Sequence, residues 1–494
     1  MIEMMPLTYT DSYKLDHRNQ YPENTERIYS NFTPRGSRIP NINEVVFFGL
    51  QYYIKDYLIR QWNDNFFNRS KNSVLEEHEE NIRDFVGRDI SSKHVSDLHT
   101  LGYLPIKICA VPEGTKVPLR VPMYTIHNTL PDFFWLTNFL ETSMSNVLWE
   151  PCTSATIAAE YRRVFNEYAD ETVGDRDFVQ WQGHDFSYRG MSGLESACLS
   201  GAGHLLSFTG TDTVPAVKFL KHYYGATGLI GTSVVATEHS TQTMAILASG
   251  KDLLTGELEQ FKRLITEVYP DGIVSIVCDS YDYWKVITEI LPKLKNEIMN
   301  RSGKVTIRPD SGNPTKIICG DKDATFGTPE YYGSVEMMHK IFGGSFTRKG
   351  YKSLDQHIGI IYGDSITLER QRDILEGLKR KGFASNIPVL GIGSFTYRYT
   401  TRDTFGFAVK TTYGEVDGKS INVFKDPKTD DGVKKSARGL LGVKRTSKLE
   451  LVEDLSKEEY NASFKTWNVM QPVFLNGKLL KEYTLKEVRS NVAG

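Results

Sequence analysis

Between about residues 178 and 400 the chain repeats one pattern: a short apolar run, a polar break, then apolar residues at helical spacing. The runs and their breaks read FVQWQGHDFSYRG, LLSFTGTDTVPAV, SVVATEHST, IVSIVCDSYD, VTIRPDSGNP, IGIIYGDSIT and IPVLGIGSFT. Alternating strand and helix signals predict a parallel sheet with crossover helices. Seven such units predict a closed or nearly closed α/β barrel. Before them, 44–60 has helical period and 61–100 is polar and helical. Segment 107–129 is β-rich, with Pro112 and Gly114 at bends, and 132–149 and 151–170 read as two amphipathic helices. After 403 the pattern returns to β, with hairpin signals at Asp417–Gly418 and Asn476–Gly477. The expected organisation is a mixed α/β chain in two parts. Segments 1–150 and 404–494 form a β-rich domain, and 151–403 forms an irregular parallel α/β barrel. No short-period repeat, heptad or low-complexity tract interrupts this pattern.

Composition narrows the function classes. A chain of 494 residues is too long for one compact core. Its 59 basic and 61 acidic residues balance, which argues against a general nucleic-acid binder. Five dispersed cysteines without a CxxC pair point to free thiols in a reducing compartment. The N-terminal stretch lacks a basic, apolar leader pattern, and no apolar run reaches the roughly 18 residues of a membrane span. A cytoplasmic protein is expected. The densest basic stretch is Lys425, Lys428, Lys434, Lys435, Arg438, Lys444 and Arg445. It reads either as a solvated loop or as a lip that attracts phosphate.

The predicted strands end in Asp185, Asp212, His239, Asp279, Arg308 with Asp310, Asp364, and Gly391–Gly393. In an α/β barrel these ends converge on one rim, where chemistry is carried. No P-loop and no paired zinc-ligand motif is present. Arg189, Arg308 and Arg402 can grip phosphate in bidentate fashion. Asp279, Asp310 and Asp364 suit Mg²⁺ or sugar hydroxyls, and GIGSFT can offer backbone N–H groups to a phosphate. Such a rim suits a phosphorylated sugar with a metal. His239 has two readings: a surface passenger beside a helix cap at Ser240 or Thr241, or a nucleophile with carboxylate support.

The motifs DSYKLDHRNQYPENT, HDFSYRGMSGLESA, TGTDTV, TEHST, VCDSYD, RPDSGNP, YGDSI, TTRD and NVFKDP occur in this order and nearly end to end. Together they resemble the nicotinamide phosphoribosyltransferase family. The resemblance implies the type II phosphoribosyltransferase fold and a homodimer with shared active sites. It also implies transfer of phosphoribose from 5-phosphoribosyl 1-pyrophosphate to nicotinamide, with coupled ATP hydrolysis and Mg²⁺. By resemblance, Phe186 and the partner subunit's Tyr13 sandwich the pyridine ring, and Asp212 accepts from its carboxamide. Arg308 lines that pocket, Ser233 and Gly363 are further substrate-binding residues, and Asp310 and Asp364 hold ribose hydroxyls. Gly393, Ser394 and the partner's Arg402 take the 5′-phosphate. Arg189, with the partner's Arg35, Lys410 and Lys425, surrounds the pyrophosphate and nucleotide phosphates. His239 is the implied phosphorylated histidine, with Glu238 and Asp279 beside it. The chain departs from the family pattern at Ile392, Ser394, Gly359 and Ala408. Two alternatives remain: nicotinate phosphoribosyltransferase, which a carboxylate at Asp212 disfavours, and a non-catalytic binding protein, which would not need His239.

Overall fold

The apolar runs between 178 and 400 form seven parallel strands in the computed structural model, which describes residues 4–363, 365–425 and 436–494. They are β1 (Gly183–Asp185), β2 (Gly210–Thr211), β3 (Val235–Ala236), β4 (Asp271–Val277), β5 (Ser302–Arg308), β6 (Ile358–Tyr362) and β7 (Pro388–Ile392). Their order is β2-β1-β7-β6-β5-β4-β3, every pairing parallel. The two ends meet just before β3, where Thr232 N donates to Thr209 O at 2.8 Å and Thr211 N donates to Thr232 O at 3.0 Å. The sheet therefore curls into an irregular barrel. Period 2 sorts its residues. Ile273 and Ser275 of β4 and Lys304, Thr306 and Arg308 of β5 line the interior. The alternate residues Val274, Ile276, Val305 and Ile307 point the other way and are fully buried. Each of these contributes about 1.5–3 kcal/mol through its burial. This unit comprises Ile157–Val217 and Gly228–Tyr399.

The other compact unit comprises Met1–Thr156, Lys218–Thr227 and Thr400–Gly494. Its main sheet is antiparallel and takes strands from both ends of the chain. In order these are Lys419–Asn422, Ala408–Val416, Thr25–Thr33, Tyr124–Asn128, Ile106–Ala110, Gln471–Leu475 and Lys478–Leu479. Phe32 anchors this core, stacked 5.2 Å from Tyr124 and 5.2 Å from Phe407. Both predicted hairpin turns form. Asp417 and Gly418 have φ of 50° and 69°, and Asn476 and Gly477 have 48° and 79°, as a two-residue turn with the strands' own twist requires.

Two stretches differ from their predicted form. Segment 44–60 opens as a strand, Glu44–Val46, and turns helical only at Leu50. The break is Gly49, at φ 105°, where an added Cβ would lie 2.8 Å from Pro151 Cγ. The two helices expected at 132–149 and 151–170 are largely one, Glu141–Thr172, with Pro151 inside it. An interior proline costs about 3 kcal/mol. Met144, Leu148, Cys152, Ala155, Ala158, Tyr161 and Phe165 form a fully buried stripe along this helix, which more than offsets that cost. All five cysteines are free thiols. Among the described residues no helix is long and apolar enough to cross a membrane.

Candidate active site

A cavity of about 520 Å³ occupies the barrel interior. Phe186, just after β1, forms one wall and is held by its N–H, which donates to Ile392 O at 3.1 Å. Gly391 permits this placement, because a Cβ there would meet Phe186 Cδ2 at 2.6 Å. The His184 ring lies 4.5 Å from that of Phe186. Positions 182, 184 and 186 share the inward face, so His184 belongs to the cavity although sequence reasoning passed over it. Its Nε2 donates to Asp212 Oδ1 at 2.9 Å, and Ser233 Oγ donates to the same oxygen at 2.6 Å. Burial pulls the Asp212 carboxyl upward. The hydrogen bonds from His184 and Ser233, with the charges of His184 and Arg308, outweigh it and hold Asp212 below the usual carboxylate value. Arg308 lines the same cavity, and its Nη2 donates to Thr237 O at 2.5 Å. Asp185, in contrast, is fully buried and locks the adjoining turn, accepting from Ser187 N, Ser187 Oγ and Thr211 Oγ1.

His239 opens the helix His239–Ala248. The cap falls on Glu238 rather than on Ser240 or Thr241. Thr241 Oγ1 accepts from Glu238 N at 3.4 Å and donates to Glu238 O at 2.9 Å, so the polar TEHST run folds as a helix start. The His239 side chain is half exposed, with Nδ1 3.2 Å from Ser280 Oγ. Its Nε2 lies 3.6 Å from Asp279 Oδ1 and 3.8 Å from Asp310 Oδ2. The carboxylates facing this ring are thus Asp279 and Asp310, whereas Glu238 is exposed at the cap. Asp279 is clamped: its Oδ2 accepts from Asp310 N at 2.9 Å, Ser311 N at 2.8 Å and Ser311 Oγ at 2.7 Å. Its buried Oδ1 accepts no hydrogen bond. Gly363 packs on Asp310, and a Cβ there would meet Asp310 Oδ1 at 2.6 Å. Asp364 lies outside the described residues. Among the described residues no cluster of three or more His, Cys, Asp or Glu could hold a metal alone. Asp279 Oδ2 is already taken up by its three donors and Oδ1 is buried, so Mg²⁺ here would be held mainly by phosphate oxygens of a ligand.

At the end of β7, Gly393 caps the one-turn helix Ser394–Tyr397. The turn Tyr188–Gly190, which carries exposed Arg189, packs directly on it, since a Cβ on Gly190 would overlap Ser394 Oγ at 2.0 Å. Arg189, Gly393 and Ser394 therefore share one corner of the barrel unit.

Tyr13, Arg35, Arg402, Lys410 and Lys425 belong to the other unit. The exposed Tyr13 hydroxyl is pushed up by partial burial and by Glu141 and Asp11, against Arg402. Burial lowers the Lys410 ammonium. Glu141 opposes that shift, while Arg35, Lys425 and Arg402 reinforce it, so these cations form one cluster. Arg35 and Lys410 line a cavity of about 200 Å³. The longer basic lip is not continuous: Arg438 is paired with Asp454 and Lys444 with Glu450. Lys428, Lys434 and Lys435 lie outside the described residues.

Comparison with known proteins places this geometry. The profile of the nicotinate phosphoribosyltransferase family matches residues 181–464, and that of the nicotinamide phosphoribosyltransferase N-terminal domain matches residues 6–108. The nicotinamide phosphoribosyltransferase of Acinetobacter baylyi is 50% identical, covering 99% of this chain and 97% of that relative. This chain belongs to the nicotinamide phosphoribosyltransferase family. The Xanthomonas campestris nicotinamide phosphoribosyltransferase is 33% identical, covering 98% of this chain and 97% of its own. Two solved structures share the fold at 15% identity. Nicotinate-nucleotide pyrophosphorylase from Pyrococcus furiosus has a TM-score of 0.59, covering 99% of this chain and 95% of that one. Human nicotinic acid phosphoribosyltransferase has a TM-score of 0.52, covering 98% and 93%. The curled parallel sheet is the type II phosphoribosyltransferase fold expected of the nicotinamide phosphoribosyltransferase family.

Proposed function

We propose that the protein is a cytoplasmic homodimer that joins nicotinamide to 5-phosphoribosyl 1-pyrophosphate, coupled to ATP hydrolysis through phosphorylated His239. The observation that carries the base assignment is Asp212, kept ionised by His184 and Ser233 in an aromatic-walled cavity. Both hydrogen bonds end on Oδ1, which leaves Oδ2 to accept from a carboxamide N–H₂. A substrate carboxylate there would meet like charge. Phe186 stacks on the pyridine ring, and Tyr13 of the partner subunit closes the other face.

The pyridine nitrogen attacks C1 of the ribose as the C1–O bond to pyrophosphate breaks, and the bonding pair leaves on the pyrophosphate. No proton moves, because the product is a pyridinium. Positive charge grows on the sugar and negative charge on the leaving group. Arg189 and the partner's Arg35, Lys410 and Lys425 stabilise the latter. Gly393, Ser394 and the partner's Arg402 hold the 5′-phosphate, with Asp310 and Asp364 on the ribose hydroxyls. Mg²⁺, held mainly by the substrate's phosphate oxygens, would supply further charge neutralisation when bound.

In the ATP step the proton is placed on His239 Nε2, the nitrogen that faces Asp279 and Asp310 at 3.6 Å and 3.8 Å, and Nδ1 is the nucleophile. Attack on the γ-phosphorus breaks its bond to ADP, and Asp279 and Asp310 stabilise the imidazolium that forms. The base assignment is tested by Asp212→Asn. The ratio of kcat/KM for nicotinamide over nicotinate should fall about 10–100-fold, the scale of one repelled or unpaired buried polar group. An unchanged ratio overturns the role given to Asp212.

A further inference from the structure

Residues 118–121, Pro-Leu-Arg-Val, form a tight turn in which Val121 N donates to Pro118 O at 3.1 Å. Arg120 is its second central residue and has φ of 68°. Turns of this shape call for glycine there, because only glycine enters the left-handed region without a Cβ penalty. The other described non-glycine residues at positive φ are Asn24, Asn41, Ser365, Asp417, Asp454 and Asn476. All of these have short polar side chains. Asn and Asp tolerate this region best, and Ser can bond locally to its own backbone. A long arginine stem has no such local compensation, and uncompensated backbone strain concentrates at ligand sites.

The strained residue borders the cavity of about 200 Å³ that Arg35 and Lys410 line, together with Asn31 and Thr33. Its backbone N–H donates to Pro34 O at 2.7 Å, which seats the turn beside Arg35. Glu453 also borders the cavity, and its carboxylate accepts from Arg438 N at 3.1 Å. Arg120 is exposed, and among the described residues no carboxylate is ion-paired with it.

We propose that Arg120 is a third phosphate-binding cation of this cavity, kept in a glycine position because its guanidinium grips pyrophosphate. The inference rests on the reading of Arg35 and Lys410 as phosphate-binding residues. A planar fork can bind two phosphate oxygens at once, which neither an ammonium nor a glycine turn can do. Contact between the Arg120 guanidinium and pyrophosphate offsets the backbone strain in the ligand-bound protein.

The test is titration calorimetry of the full-length protein with pyrophosphate and Mg²⁺, alongside melting curves without ligand. Arg120→Gly should raise the ligand-free melting temperature by about 1–3 °C and weaken pyrophosphate binding at least about 10-fold. Arg120→Lys keeps charge and strain but loses the fork. It should weaken binding about 5-fold with no gain in melting temperature, and it stands in if the glycine variant fails to fold. Arg35→Ala and Lys410→Ala are the controls. If they weaken binding while both Arg120 variants bind within twofold of wild type, the proposal for Arg120 is wrong. If the controls also bind as wild type, the cavity is not the pyrophosphate site, and the underlying reading falls with it.

Discussion

His184 Nε2 sits 2.9 Å from Asp212 Oδ1, an imidazole and a carboxylate paired inside the barrel. The pair does two things: it orients Asp212 and keeps it ionised against burial. Replacing His184 with Ala removes the larger of the two hydrogen-bond influences, so the Asp212 pKa should rise. An ionised Asp212 is the productive form. The acid limb of kcat/KM for nicotinamide should therefore move to higher pH in His184→Ala, with a loss of roughly 10-fold at neutral pH. A pH–rate profile from about 4 to 8 checks this, and superimposable acid limbs would count against the pairing.

His239→Ala should abolish ATP-dependent labelling and ATP stimulation while leaving slower, ATP-independent transfer, because the pyridine and ribose contacts are untouched. The wild-type label should be acid-labile and base-stable, as expected of a phosphorylated imidazole. Phosphopeptide mapping after brief incubation with labelled ATP and Mg²⁺ decides it. Label on another residue would return His239 to being only the first residue of a capped helix.

Much of this site could be read from strand endings. Asp212, His239, Asp279, Arg308 and Asp310 lie at or just after the ends of short apolar runs, and parallel order brings such endings to one rim. Residues inside the runs were harder. His184 lies within a three-residue strand, and only its inward register shows that it supports Asp212. The helix cap was misplaced because Ser and Thr are the stronger capping residues, yet the backbone turns at Glu238. Pro151 marked a false break, since the buried stripe from Met144 to Phe165 outweighs one lost hydrogen bond. Arg120 carried no signal at all: PLRV has no turn residue at the position whose φ is positive.

Glu257 provides a pH-dependent stability test. It is 2% exposed, and its Oε1 has no hydrogen-bond partner. Burial first, then the charges of Asp282 and Asp279, push its carboxyl from 4.5 up to about 7. The folded value is raised, so the protonated form contributes stability that is fully present below pH 4.5 and is lost as pH rises through about 7. Glu257→Gln, neutral at every pH, should match wild type near pH 4 and be more stable at pH 8, by up to about 3 kcal/mol. Urea midpoints across this range give the answer, and a pH-independent difference would contradict it.

Because Tyr13, Arg35, Arg402, Lys410 and Lys425 are assigned to the partner's site, His239→Ala and Arg402→Ala should each impair ATP-stimulated turnover. Co-refolded mixtures should recover part of it, since one site in each hybrid dimer is intact. With subunit exchange verified by mass, recovery no greater than the average of the two variants would rule out shared sites.

The central claim is that the barrel is built for a carboxamide-bearing pyridine. Its most direct test is the wild-type protein with 5-phosphoribosyl 1-pyrophosphate and Mg²⁺, assayed in parallel with nicotinamide and nicotinate, the product identified by mass. The ionised Asp212, held by His184 and Ser233, predicts nicotinamide mononucleotide as the product, with kcat/KM for nicotinamide at least about 100-fold above that for nicotinate. Equal turnover of the two bases, or a preference for nicotinate, would contradict the account.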